Sequence, residues 1–151
     1  MALKGFFGTY EITVDDKGRV RIPAKFKSLM GDDFVIAFGE KACVSVYTEE
    51  TFEKFIEQVK QLDALDEDAA EFKRTLYANV NVGEFDTAGR ILIPVKYREY
   101  AALKKDLVAA GVDDHFEIWD AETWAQGNYT SLTKRRDLQK GISQKISGGK
   151  N

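Results

Sequence analysis

The chain has 151 residues, 44% apolar and 31% charged, with a formal net charge of −3, and that length suits one ordinary domain with a buried core. Its one cysteine, Cys43, excludes an intrachain disulfide, and one histidine with one cysteine cannot furnish the usual zinc ligands. No apolar run approaches the ~18 residues of a membrane-crossing helix and the N-terminus lacks a signal-peptide pattern, so the expected location is cytoplasmic.

Residues 1–14 predict an opening segment that ends in a strand, Thr9 to Val14. Asp15-Asp16-Lys17-Gly18 then predicts a tight turn. The aspartate can bond N–H groups two residues on, and glycine takes the positive φ a turn needs. Arg19-Val20-Arg21-Ile22 alternates polar and apolar, the mark of a half-buried strand. Pro23 suits the first turn of a short helix, which Gly31 closes. The apolar run 34–39 predicts a buried strand, and 43–47 another. Thr48 is placed to cap a helix, with Glu49 and Glu50 in its first turn and Phe52, Phe55, Ile56 and Val59 at helical spacing. Asp63 to Asp68 breaks that pattern. Ala69, Phe72 and Leu76 mark a second helix to about Tyr77, and a strand follows over Ala78–Phe85.

A second copy of the turn and strand comes next. Asp86-Thr87-Ala88-Gly89-Arg90-Ile91-Leu92-Ile93-Pro94-Val95-Lys96-Tyr97-Arg98 repeats 15–27 at an offset of 71, with six of thirteen residues identical. Beyond it the repeat continues at an offset of 72. Ala37 and Gly39 then meet Ala109 and Gly111, Tyr47 meets Trp119, and Asp120 takes the place of Thr48. The repeats span about 9–52 and 80–124, joined by an acidic helical region over 48–78. From Lys134 onward only Leu138, Ile142 and Ile146 recur, so helix is expected at most to about Ile146 and disorder after it.

The negative total hides a local pattern. Residues 48–72 carry nine acids against Lys54 and Lys60. The box 15–27 carries five bases against two acids, the box 86–98 three bases against Asp86, and 134–151 six bases against Asp137. Acid is concentrated away from the boxes, and the local field matters more than the sum. Solvated faces would give the same pattern, and Arg19 and Arg90 could simply pair with Asp15 and Asp86.

The two Asp-x-x-Gly-Arg boxes, each followed by Ile-Pro and a basic residue, resemble those of the MraZ family. Gly5-Phe6-Phe7-Gly8-Thr9-Tyr10 at the start resembles the family's opening. Phe116-Glu117-Ile118-Trp119-Asp120, with Trp124 behind it, resembles its closing box. The resemblance covers residues 5 to about 125. MraZ is similar to the AbrB/SpoVT group of swapped-hairpin DNA binders.

The resemblance implies a mainly β fold with helices (α+β). Its two internal repeats would form one pseudo-two-fold, AbrB/SpoVT-like swapped-hairpin barrel over 1–130. Residues 131–151 have no clear family counterpart, and their basic, apolar-poor composition marks a mobile tail. The resemblance implies double-stranded DNA as partner. Arg19 and Arg90 would lead the contacts, with Lys17, Arg21, Lys25, Lys96 and Arg98 beside them. Asp15, Gly18, Pro23, Asp86, Gly89 and Pro94 would hold the turns. The first box departs from the pattern, with Lys27 where arginine is expected, and loses a bidentate fork. The implied role is a repressor of the bacterial cell-division and cell-wall gene cluster, acting on tandem promoter repeats as a ring of copies, an octamer in the family's manner. No cofactor or metal is implied.

Two other classes compete. Related folds include antitoxins, and the tail could be a toxin-binding arm. A small hydrolase centred on Asp15 or Asp86 is the other. Against it, Asp15 and Asp16 read better as a turn, since Asp86 has Thr87 beside it, and no Gly-x-Ser-x-Gly accompanies His115. No Gly-x-x-x-x-Gly-Lys phosphate loop occurs either. Tyr47, Trp119 and Trp124 could stack on bases, but their place in the repeat favours core packing.

Overall fold

In a computed structural model, which describes residues 3–148, the elements run as follows. The first repeat holds β1 (Thr9–Thr13), β2 (Arg19–Arg21), α1 (Ala24–Lys27), β3 (Asp33–Phe38), β4 (Val44–Thr48) and α2 (Glu49–Lys60). After α3 (Glu67–Ala78) the second holds β5 (Asn81–Glu84), β6 (Arg90–Leu92), α4 (Val95–Tyr100), β7 (Asp106–Gly111), β8 (His115–Asp120) and α5 (Ala121–Gln126); α6 (Leu132–Gly148) closes the described chain. Two compact units result, one ending at Ala121 and one beginning at Glu122.

Local chemistry sets most boundaries. The Thr48 side chain accepts the Thr51 N–H at 3.0 Å, the capping bond expected at the head of α2. Asp66, inside the acidic break, caps α3 by accepting the Asp68 N–H at 2.9 Å. That helix runs through Ala78, so the strand expected over 78–85 starts only at Asn81. Pro23 and Pro94 stand at the cap positions of α1 and α4, one residue outside the first turn where they were expected. Four successive side chains of β3, Phe34 to Ala37, are buried because the strand lies between β4 and β5 in the sheet.

The halves exchange strands. The large sheet has the order β1-β7-β8-β4-β3-β5, and β2 pairs with β6 in a separate two-stranded ribbon. Thus β1 of the first half lies on β7 of the second, and β5 of the second on β3 of the first. The register is symmetric under exchange of halves. Thr13 faces Asp106 as Glu84 faces Asp33, and Val20 faces Ile91 in the middle of the ribbon. This symmetry corrects the repeat alignment. It fixes the offset at 71 for the boxes, 73 for β3 and β7, and 72 for β4 and β8. Ala37 therefore corresponds to Ala110 and not Ala109. The two extra residues sit in α4, six residues long against four in α1. The hairpin between β7 and β8 gives one back. A closed barrel is not found: the large sheet ends at β1 and β5.

The core fills the space between ribbon and sheet. Val20 and Ile91 are fully buried, as are Ile93 and Tyr97, with Ile22 and Phe26 nearly so. Phe26 packs against Phe6, Tyr10 and Phe116 at ring-centroid distances of 5.4, 5.1 and 4.9 Å. Its counterpart Tyr97 packs on Phe38 at 4.9 Å and donates its hydroxyl to the Ile36 and Asn79 carbonyls. Tyr47 and Trp119 are buried, in keeping with packing and not with base stacking. His115 opens β8 and stacks on Tyr47 at 4.6 Å.

In the second unit, Trp124 packs on Tyr129 at 4.8 Å and the Lys134 ammonium lies 4.3 Å from the Tyr129 ring centroid. Helix α6 runs through Gly148, past the Ile146 limit expected from sequence. Residues 149–151, part of the expected disordered end, lie outside the described residues.

Candidate nucleic-acid interface

Each box folds into the same turn. The Asp15 carboxylate accepts the N–H groups of Lys17 and Arg19, both at 2.9 Å, while Gly18 N–H donates to the Asp15 carbonyl at 3.0 Å. Asp86 accepts from Ala88 at 2.9 Å and Arg90 at 2.8 Å, with the Gly89 bond again 3.0 Å. Gly18 and Gly89 sit at φ +86° and +76°, the left-handed residue that lets a three-residue loop close a hairpin. Crowding adds to this at Gly18, where a Cβ would meet the Ile93 backbone carbonyl and the Arg98 guanidinium at 2.9 Å; at Gly89 it would meet the Lys27 ammonium at 2.6 Å, the free-swinging end of a side chain that can move aside.

The β2–β6 ribbon follows directly. Val20 and Ile91 point into the core, so Arg19, Arg21, Arg90 and Leu92 share the outer face. Arg21 stands directly opposite Arg90. Like charges across a strand pair repel, and the turn aspartates offset this. Arg90 pairs with Asp86 at 3.0 Å and lies 3.7 Å from Asp15, and Arg21 donates to the Ala88 carbonyl at 3.0 Å. Arg19 makes no ion pair among the described residues. The turn N–H groups hold both aspartates below the usual carboxylate range, Arg19 N–H leading for Asp15 and Arg90 N–H for Asp86. These bonds commit Asp15 and Asp86 to the turn, as the turn reading expects.

Ribbon, α1 and the end of β1 enclose a broad open groove. Nine bases line it against Glu11, Asp15 and Asp16. Among the bases are Lys17, Arg19, Arg21, Lys25, Arg90 and Arg98, so six of the seven residues named from sequence come together. Lys96 is not a lining residue; its ammonium sits over the Tyr97 ring at 5.1 Å. Arg98 donates to the Ile93 carbonyl at 2.9 Å and packs on Gly18, while Lys27 reaches over Phe85 beside Gly89. Each of these two cations braces the turn of the other half. Sequence reasoning missed Lys104 and Lys105, which also line the groove. A repeat alignment with the offset of 73 sets them against Gly31-Asp32 and would have drawn the eye to them.

Other chemistry finds little support in the geometry. The Cys43 thiol is fully buried, and burial beside Glu117 pushes it up to about 12, so it is no nucleophile near neutral pH. Among the described residues no three His, Cys, Asp or Glu side chains gather at metal-binding distance. No helix among them is long and apolar enough to cross a membrane.

Fold and groove together define a class: an α+β protein of two strand-exchanging repeats with a cationic two-stranded ribbon on its surface. The family model described as "MraZ protein, putative antitoxin-like" matches the chain twice, over residues 6–75 and 76–140. The chain is 40% identical to the transcriptional regulator MraZ of Lactiplantibacillus plantarum over 91% of its own length and 97% of that protein's. It is 42% identical to the one from Leuconostoc mesenteroides, over 85% and 88%. The match to that of Lachnoclostridium phytofermentans is 37%, over 87% and 93%. The chain belongs to the MraZ family, whose members are named as transcriptional regulators and not as enzymes.

Proposed function

We propose that this chain is a sequence-specific DNA-binding transcriptional regulator. The observation that carries the reading is the ribbon, with Arg19, Arg21 and Arg90 on one outer face above a groove rich in bases. The major groove of DNA admits a two-stranded ribbon, and arginine can grip O6 and N7 of guanine or a phosphate bidentately. Arg19 reads or grips first, because among the described residues no carboxylate forms an ion pair with its guanidinium. Lys17 and Lys25 contact phosphates from the turn and α1. Arg98 keeps the turn in shape.

By family resemblance the target is a set of tandem repeats upstream of the cell-division and cell-wall gene cluster, where the protein acts as a repressor on the nucleoid in the cytoplasm. Copies close into a ring, an octamer in the family's manner, that presents many boxes at once. The exchange of β1 and β5 between halves supports the AbrB-like, swapped-hairpin reading of the fold. No cofactor enters this mechanism. A second reading, the antitoxin-like one, is favoured by a single observation: Leu138, Ile142 and Ile146 lie exposed at four-residue spacing on α6. A toxin partner would cover that stripe.

The test is a gel shift on duplexes chosen by selection from random DNA, run beside a thermal melt. Each lost arginine contact costs ~1–3 kcal/mol of binding. Arg19→Ala abolishes detectable specific binding and leaves the melting temperature in place. Arg90→Ala loses nearly as much and melts slightly lower, since its tie to Asp86 goes too. Lys27→Ala does less. Normal affinity in both arginine variants would sink the assigned site.

A further inference from the structure

The two halves match strand for strand, so each side chain of the groove has a counterpart in the other half. Comparing them shows how far the two faces have diverged. Lys17 corresponds to Ala88 and Arg21 to Leu92, at the offset of 71 that the ribbon register sets. The connectors that lead into β3 and β7 have the same length, 28–32 and 101–105. The first ends in Gly31-Asp32 and the second in Lys104-Lys105. Of these pairs, only the members beside the first box are basic. Three pairs of bases are retained on both sides, Arg19 and Arg90, Lys25 and Lys96, and Lys27 and Arg98.

The counterpart face has also turned apolar. Leu92 is 53% exposed and Val95, the counterpart of Ala24, is 55% exposed. Asp32 and Asp33 stand at its edge, where Glu49 and Glu50 add further acid. Phosphate meets repulsion and apolar surface there.

Backbone bonds place the lysine pair. Val14 N–H donates to the Lys105 carbonyl at 3.0 Å, which ties Lys105 to the residue before the first turn. Lys104 N–H donates to the Asp120 carboxylate at 3.0 Å, which fixes the connector to the end of β8. Leu103 N–H donates to the Arg98 carbonyl at 2.9 Å, and Ala102 at φ +50° turns the chain out of α4. Both lysine side chains are exposed, and both line the groove that holds Lys17 and Arg19.

We infer that Lys104 and Lys105 form, with the first box, a one-sided phosphate-gripping face, so that each chain holds a nucleic-acid backbone through the first-box side and not through its counterpart. This rests on the DNA-binding reading and adds to it a polarity that two equal boxes would lack. The lysines carry no base information. They hold the strand flanking the one that the ribbon enters, and they set the orientation of the chain on the duplex.

The experiment measures affinity for a selected duplex and for an unrelated duplex from 50 to 200 mM salt. It compares the full chain with Lys104→Gln/Lys105→Gln, Lys105→Gln, Lys96→Gln and Asp32→Lys, each checked by thermal melt. Each phosphate contact contributes about −0.9 to the log–log salt slope. The double variant is expected to flatten the slope by about 1.8, so that its deficit is roughly tenfold larger at 50 mM than at 200 mM. It should weaken both duplexes alike and keep the preference between them. Lys105→Gln gives about half the change in slope. Lys96→Gln and Asp32→Lys leave the slope unchanged, because they lie on the counterpart face. An unaltered slope in the double variant, with the parent chain binding normally, overturns the assignment and leaves the DNA-binding reading intact. A slope that Asp32→Lys steepens by about one unit overturns the one-sidedness. If the parent chain shows no salt-dependent affinity for either duplex, the DNA-binding reading falls and this inference falls with it.

Discussion

At the scale of residues, the same side-chain types do different work according to what holds them. Asp15 and Asp86 are bound by turn N–H groups, and their negative charge lets Arg21 and Arg90 sit face to face across the ribbon. Arg19 and Arg90 occupy equivalent positions, yet among the described residues only Arg90 is tied down by a carboxylate. His115 shows how a titrating group is set by its neighbours. Burial pushes its pKa down, but the hydrogen bonds and charges of Glu117 and Asp114 together outweigh that and raise it. Its ring lies 2.6 Å from the Asp114 carboxylate and 3.7 Å from that of Glu117. A raised folded-state pKa means that the native protein binds the proton more tightly than the unfolded chain. The stabilisation is then full below the unfolded pKa of ~6.5 and is lost as pH rises through the higher folded value. The urea midpoint should therefore fall as pH rises past that point, and His115→Gln should remove the decline. An equal decline in the variant would refute the assignment. The turn aspartates and glycines were legible in the sequence because their chemistry is local, spanning four residues. Lys104 and Lys105 were not, since their place beside the first box depends on a strand register that sequence spacing does not reveal.

Elements extend the same lesson. Strand periodicity told which side chains of Arg19–Ile22 face inward, and the cap at Thr48 told where α2 begins. Neither could say that β1 pairs with β7 in the other half, because a period of two marks a face and names no partner. The repeat at 72 held for β4 and β8, but the two extra residues of α4 put β3 and β7 at 73, and the shorter β7–β8 hairpin then gives one back. Helix α6 runs slightly further than its composition suggested: the weak apolar spacing allowed helix to about Ile146, and the chain is helical through Gly148, with five bases against Asp137. Its apolar residues lie exposed at helical spacing, and it belongs to the unit that begins at Glu122. Deleting residues 132–151 should leave the melt of the unit ending at Ala121 in place, because none of that unit's core lies in the deleted part. DNA affinity should drop modestly with a shallower salt slope, as expected when non-specific cationic attraction is removed. An unfolded truncation would show that α6 is an integral packed element.

At the scale of the whole molecule, the proposed function raises the question of how one modest groove would yield a specific regulator. A ribbon only three residues long on each strand reaches few base pairs. Under the proposed function, specificity has to come from joining several such contacts, and a closed ring of copies would do so by turning later binding events into intramolecular ones. The one-sided face makes a further demand on the DNA. A ring built head to tail repeats the same orientation from copy to copy, in contrast to a two-fold dimer, whose half-sites run palindromically. Sites for such a ring must be direct repeats. Sedimentation should accordingly find a multimer at micromolar protein, and a stable monomer there would remove the multivalent mechanism. Affinity should rise steeply from one repeat to several. Inverting one repeat within the array should weaken binding about as much as deleting it, since an inverted site presents its flanking phosphates to the side that carries Asp32 and Leu92. A titration of arrays with direct, inverted and deleted repeats measures this. If the inverted array binds as well as the direct one, the chain has no polarity on DNA, and the two boxes serve as equals.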